Sequence, residues 1–99
     1  MREVILITVP RTGTRFWQRL IQTVQPGVWV QHCYARYRDE IIRRMDDDVG
    51  VVTTVRDYLL TYASWRKMGW SVTELDDCWS WWSEFVLPLA DAVVRALMR

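Results

Sequence analysis

Apolar and polar positions along the chain alternate between strand-length runs and stretches of helical spacing. Val4 to Val9 is nearly continuous in apolar residues and rich in β-branched side chains, the pattern of a parallel strand covered on both faces. Pro10 breaks the run. From Thr14 onward the apolar residues recur at Phe16, Leu20 and Val24, with Trp17 and Ile21 beside them. That spacing predicts a helix over 14–24, ended by Pro26 and Gly27. Val28–Cys33 reads as a second strand and Tyr34–Met45 as a second helix, with Arg36, Arg38, Arg43 and Arg44 on a mostly solvated face. Asp46, Asp47 and Asp48 would oppose a helix dipole at its C-terminus and are placed in a loop.

Val49–Val55 is β-branched almost throughout and reads as a third strand. Asp57 is suited to cap a helix from Tyr58 to about Met68, and Gly69 to end it. Ser71 and Glu74 have capping-box spacing, so another helix starts near Val72. It carries Leu75, Cys78, Trp79, Trp81, Trp82 and Phe85, the tryptophans being read as packing residues. Pro88 must kink that helix or open a new one, and Leu89–Met98 forms a last apolar-faced segment. The order β-α-β-α-β-α-α predicts one α/β domain over residues 1–99. The expected architecture is three layers, α/β/α, on a short parallel sheet of about three strands, with a Trp-rich helical segment at the C-terminal end.

Composition adds a core and an uneven charge. Apolar residues make up 51% of the 99, and seven are Trp. The net charge of +1 gives no bulk argument for nucleic acid. Its distribution is asymmetric: residues 1–67 hold eleven Lys and Arg against seven Asp and Glu, while residues 68–99 hold two against five. Every basic residue except Lys67 is Arg, the side chain whose planar fork fits oxyanions. Cys33 and Cys78 belong to no C-x-x-C or other metal motif and are expected as free buried thiols in a reducing compartment. No apolar run approaches the length of a membrane span, and the N-terminus reads as a strand rather than a signal peptide. The expectation is a cytoplasmic protein with no membrane or nucleic-acid partner.

The candidate chemistry lies between the first strand and the first helix. Pro10-Arg11-Thr12-Gly13-Thr14-Arg15 is a short polar turn. A turn at this place aims backbone N–H groups and the positive end of the helix dipole at an anion. Thr12 and Thr14 add hydroxyl donors, and Arg11 and Arg15 add forked, charge-assisted ones. The turn is not a Walker A loop, which needs G-x-x-x-x-G-K-[ST]. His32, the single histidine, ends the second strand, and Arg56 ends the third. In a parallel sheet both would share the carboxyl edge with the turn, where ligands of open α/β sheets bind. Neutral imidazole there is a suitable base at pH 7. The Asp triad is read as a solvated turn rather than a metal site.

Two stretches resemble the sulfotransferases that use 3′-phosphoadenosine 5′-phosphosulfate (PAPS). Pro10-Arg11-Thr12-Gly13-Thr14-Arg15-Phe16 is similar to that family's P-K-S-G-T-T-W loop, with Arg11 in the Lys position. Val51-Val52-Thr53-Thr54-Val55-Arg56-Asp57, followed by Ser64 eight residues after Arg56, resembles the family's strand ending in R-D-P and its later Ser. The resemblance covers about residues 3–68. It implies a P-loop nucleoside triphosphate hydrolase-like fold and transfer of a sulfuryl group from PAPS to a hydroxyl or amine on a small-molecule or glycan acceptor, without a metal. By position, the turn Arg11–Arg15 would bind the phosphosulfate, with Arg11 neutralising the leaving phosphate. Phe16, or neighbouring Trp17, would stack on adenine. Arg56 and Ser64 would bind the 3′-phosphate, and His32 would be the general base.

The departures from the family are specific. Tyr58 replaces the Pro of R-D-P. The family's further strand and its C-terminal R-K-G-x-x-G-x-W loop have no counterpart in the reading. The alternative is therefore a non-catalytic phosphonucleotide-binding module of the same fold. A homodimer through Trp79–Phe85 would supply missing parts of the site. A magnesium-dependent kinase or nucleotidase has only Asp57 as a metal-holding candidate, and an α/β interaction protein with a vestigial basic edge is the remaining reading.

Overall fold

The computed structural model describes residues 3–45 and 49–95. Four strands form one sheet in the order β2-β1-β3-β4, every neighbouring pair parallel. They are β1 (Glu3–Thr8), β2 (Trp29–His32), β3 (Val49–Val55) and β4 (Ala92–Arg95). β1 lies between β2 and β3, which explains its continuous apolar run: Ile5, Leu6 and Ile7 are all fully buried. The register sets Thr8 opposite His32 and Ile7 opposite Thr53.

The helices are α1 (Thr14–Gln22), α2 (Arg38–Arg44, preceded by a 3-10 turn at Ala35–Tyr37), α3 (Tyr58–Lys67) and α4 (Val72–Trp81). One core cluster joins Ile5, Ile7, Val49 and Val51 of the sheet to Ile41 of α2, Trp65 of α3, and Leu75 and Cys78 of α4. Trp82 and Val86, just beyond α4, complete it. The Trp82 indole N–H donates to the Thr53 hydroxyl at 2.7 Å, and that hydroxyl donates to the carbonyl of Ile7 at 2.6 Å. A buried polar chain thus ties the helix after α4 to the sheet centre, and the packing role read for Trp82 holds. Arg36 and Arg38 are more than solvated side chains. They reach α4, pairing with Glu74 at 3.4 Å and Asp77 at 2.7 Å.

Capping follows the sequence. The Asp57 carboxylate accepts from the Leu60 N–H at 3.2 Å and the Ser71 hydroxyl from the Glu74 N–H at 3.4 Å. Gly69, at φ 75°, ends α3 in the left-handed region. Pro88 lacks an N–H and its ring crowds the carbonyl four residues back. The chain answers with a π-helical turn over Trp82–Val86, then three α-helical residues, Leu87–Leu89, before the helix stops.

Two expectations are corrected. The sheet has four strands rather than about three. Leu89–Met98 is not one apolar-faced helical segment, because Ala92–Arg95 extends as β4 beside β3. Val93 and Val94 are β-branched and fit a strand. Asp91 anchors the entry: its carboxylate accepts from the Val51 N–H at 2.8 Å and its own N–H donates to the Val51 carbonyl at 2.8 Å. On α1 the stripe Phe16, Leu20, Val24 lies on the outer side. These residues are 47%, 47% and 78% exposed, while Trp17 and Ile21 are half-buried. The Asp46–Asp48 loop lies outside the described residues.

Candidate functional site

The link from β1 to α1 turns sharply. Arg11 has φ 71° and Gly13 φ 88°. For Gly13 the left-handed region is free of strain, whereas Arg11 must be held in it. Three contacts do so. The Arg11 Nε donates to the Ser64 hydroxyl at 2.8 Å, an Arg56 Nη1 donates to the Arg11 carbonyl at 2.8 Å, and the Trp65 indole N–H donates to the Pro10 carbonyl at 2.9 Å. Both ends of α3 therefore lie near the carboxyl edge of the sheet: Tyr58 follows β3, and Ser64 and Trp65 reach the turn after β1. α3 runs along that edge, and the chain crosses back to β4 by way of α4 and its continuation.

Pro10, Arg11, Gly13, Thr14, Arg15, Phe16, His32, Arg56 and Trp70 line a cleft of about 470 Å³ at this edge. Among the described residues its lining carries three arginines and no carboxylate. Among the described residues none of these three guanidiniums has an acidic partner, in contrast to Arg36, Arg38 and Arg44. Gly13, the N-cap of α1, supplies no side-chain cap, so the first-turn N–H groups are available to a ligand.

His32 is set by its neighbours. Its Nδ1 lies 2.9 Å from the Thr8 hydroxyl, which accepts from the Thr14 hydroxyl at 2.9 Å. Burial holds the imidazole below its ordinary pKa, a backbone hydrogen bond at Thr8 acting the other way. The ring is neutral at pH 7.

The structure brings together most of the residues read from the sequence and separates a few. Arg11, Gly13, Thr14, Arg15, Phe16, His32 and Arg56 share the cleft. Thr12 does not face it. It is 1% exposed, and its hydroxyl donates to the Val9 carbonyl and bonds the Thr54 hydroxyl, both at 2.6 Å. Trp17 packs edge-on to Phe16 and donates its indole N–H to the Arg95 carbonyl at 3.1 Å, leaving Phe16 as the ring in the cleft. Ser64 sits behind Arg11 rather than in the lining.

Two site residues escaped the sequence reading. Trp70 forms a wall of the cleft, edge-on to the buried Trp65 at a 5.3 Å centroid distance. Its signal was its place next to Gly69, where the chain leaves α3 in a left-handed turn. Thr8 is the other, a fully buried strand residue whose pairing with His32 only the register reveals. Among the described residues no group of three His, Cys, Asp or Glu could hold a metal, and no helix is long and apolar enough to cross a membrane. Comparison with known protein families, with curated proteins and with solved structures finds no match to this chain.

Proposed function

We propose that the cleft binds PAPS and that the chain transfers its sulfuryl group to a hydroxyl or amine acceptor. The observation that carries the reading is the convergence of Arg11, Arg15, Arg56 and His32 on one cleft, around the Pro10–Phe16 turn, with no carboxylate among its described lining residues. The all-parallel order β2-β1-β3-β4, with this turn after the central β1, supports a P-loop-like, three-layer architecture. The free, buried Cys33 and Cys78 suit a reducing, cytoplasmic setting.

The chemistry needs position and charge rather than a metal. The acceptor oxygen or nitrogen attacks sulfur in line. The bond from sulfur to the 5′-phosphate oxygen breaks, and its electron pair leaves with adenosine 3′,5′-bisphosphate. Arg11, Arg15 and the first-turn N–H groups of α1 offset the charge gathering on that phosphate. Arg56 holds the 3′-phosphate, Phe16 takes the adenine, and the acceptor's proton passes to His32 Nε2. Ser64 acts through Arg11, whose Nε it holds.

A second reading, a binding module without turnover, draws support from the size of the cleft. At about 470 Å³ it lies in the lower part of the range of roughly 300–1,000 Å³ for small-molecule sites, which leaves little room for an acceptor beside a nucleotide. A homodimer through the half-buried Trp79, Trp81 and Phe85 would enlarge the site.

Calorimetric titration with adenosine 3′,5′-bisphosphate, with AMP as comparison, tests the nucleotide site. Binding that requires the 3′-phosphate and weakens in Arg56→Ala is expected. Transfer of labelled sulfate from PAPS across an acceptor panel then separates enzyme from module. Binding of neither nucleotide would overturn both readings.

A further inference from the structure

Three polar side chains from separate elements form a continuous line at the cleft. Thr14 opens α1, Thr8 ends β1 and His32 ends β2. The Thr14 hydroxyl donates to that of Thr8 at 2.9 Å, and the Thr8 hydroxyl lies 2.9 Å from His32 Nδ1. Thr8 is fully buried, so water does not substitute for either partner.

A hydroxyl carries one hydrogen, so the direction of the first bond decides the second. With Thr14 donating, the Thr8 hydroxyl has its own hydrogen to give, and Nδ1 is the acceptor it meets. An imidazole that accepts at Nδ1 carries its hydrogen on Nε2. In that form Nε2 is a donor to an anion and has no lone pair with which to take a proton.

An anion in the turn reverses the line. Thr14 lines the cleft, and an anionic oxygen is a stronger acceptor than a hydroxyl. Once Thr14 donates to it, its oxygen is free to accept from Thr8. Thr8 then accepts from Nδ1–H, and the lone pair stands on Nε2. The proton balance is simple: the neutral imidazole gives its Nε2 hydrogen to solvent and takes one from solvent at Nδ1, and the two hydroxyls rotate. Arg11, Arg15 and Arg56 line the same cleft as the ring, a backbone hydrogen bond at Thr8 also acts on it, the Tyr34 ring lies edge-on at 6.1 Å, and no carboxylate among the described residues lines the cleft to favour imidazolium.

We infer that Thr8 and Thr14 are positioning residues which make the tautomer of His32 depend on the anion site, so that the imidazole becomes a competent base when the turn is filled. This rests on the reading of the turn as a nucleotide-phosphate site. It explains how His32 is kept from acting before the cleft is occupied.

His32 is the single histidine, so ¹⁵N nuclear magnetic resonance of the imidazole reads it without assignment. Spectra are recorded above the imidazole pKa during titration with adenosine 3′,5′-bisphosphate, with the amides of Gly13 and Thr14 reporting occupancy. The expected result is an excess of the Nε2–H form in the anion-free protein and a shift to Nδ1–H at saturation. Thr8→Val keeps the volume and removes the hydroxyl, and the tautomer ratio should cease to respond. Thr8→Ser should restore the response. If Thr8→Val does not fold, Thr14→Val cuts the same line at a half-buried position and should abolish the response equally. Amide shifts with an unchanged tautomer ratio would overturn the relay and leave the anion site standing. Absence of amide shifts would overturn both.

Discussion

The indole N–H of Trp65 meets the carbonyl oxygen of Pro10 at 2.9 Å, and Trp65 is fully buried. A core residue of α3 thus fixes the first residue of the anion turn, coupling fold stability to site geometry. Trp65→Phe would keep an aromatic ring and leave the Pro10 carbonyl without its donor. A buried unsatisfied acceptor costs about 1–3 kcal/mol, and the smaller ring adds a packing loss. Urea denaturation should show a loss of at least that order. Affinity for adenosine 3′,5′-bisphosphate should fall as well, because Arg11 is held at φ 71° partly through this contact. An unchanged denaturation midpoint would contradict the role given to the bond.

Arg56 has two demands on it. One Nη1 donates to the Arg11 carbonyl at 2.8 Å, and the guanidinium faces the cleft. Hydrogen bonds to a charged group contribute about 1.5–3 kcal/mol, which corresponds to roughly 10- to 100-fold in affinity. Arg56→Ala should weaken adenosine 3′,5′-bisphosphate by that factor and AMP by less. Arg56→Lys should recover only part of the loss, since an ammonium cannot fork between the carbonyl and a phosphate. Equal losses for the two nucleotides would move Arg56 away from the 3′-phosphate.

What the sequence revealed, and what it hid, divides along physical lines. Backbone signals carried well: the apolar run of β1, the caps at Asp57 and Ser71, and the stop at Gly69 all depend on local chemistry that a single chain displays. The convergence of Arg11, His32 and Arg56 also followed, because a parallel sheet places strand ends on one edge. The failures are tertiary. The spacing of Phe16, Leu20 and Val24 marked a helix correctly but could not say which side packs, and the half-buried side carries Trp17 and Ile21. Residues 92–95 form a strand because the Asp91–Val51 bonds hold them beside β3, a partnership across forty residues. Thr12 has the right type and place for an anion contact, yet Thr54 claims its hydroxyl from another strand.

The two thiols should be inert in the folded protein. Cys33 and Cys78 are both fully buried. Burial raises both pKa values, with Arg38 opposing weakly. The Cys78 thiol is pushed up to about 12, its neighbours Asp77 and Glu74 adding to the shift, and Cys33 is raised as well. The thiolate is the reactive form, and at pH 8 a group with that pKa is about 10⁻⁴ ionised. Reaction with Ellman's reagent should therefore be slow in buffer and fast in urea, with two thiols released per chain on unfolding. Rapid labelling of the native protein would mean that the helix bearing Cys78 opens readily.

His32 predicts a definite pH dependence of stability. Burial lowers its pKa in the folded chain below the 6.5 of an ordinary imidazole. The unfolded chain thus binds a proton first as pH falls, and stability changes with pH in proportion to the protons bound by the unfolded minus the folded state. That difference is positive between the folded pKa and 6.5. The contribution is fully present above the unfolded pKa and is lost as pH falls through the folded one. Urea midpoints measured from pH 7.5 downward should begin to drop near pH 6.5, before the carboxylates titrate. His32→Gln, which cannot ionise, should flatten the curve in this window. The bisphosphate should act oppositely on the ring. An anion beside the imidazole favours its charged form, so the folded pKa should rise and the drop should shrink in its presence. A slope that survives in His32→Gln would assign the dependence to another group.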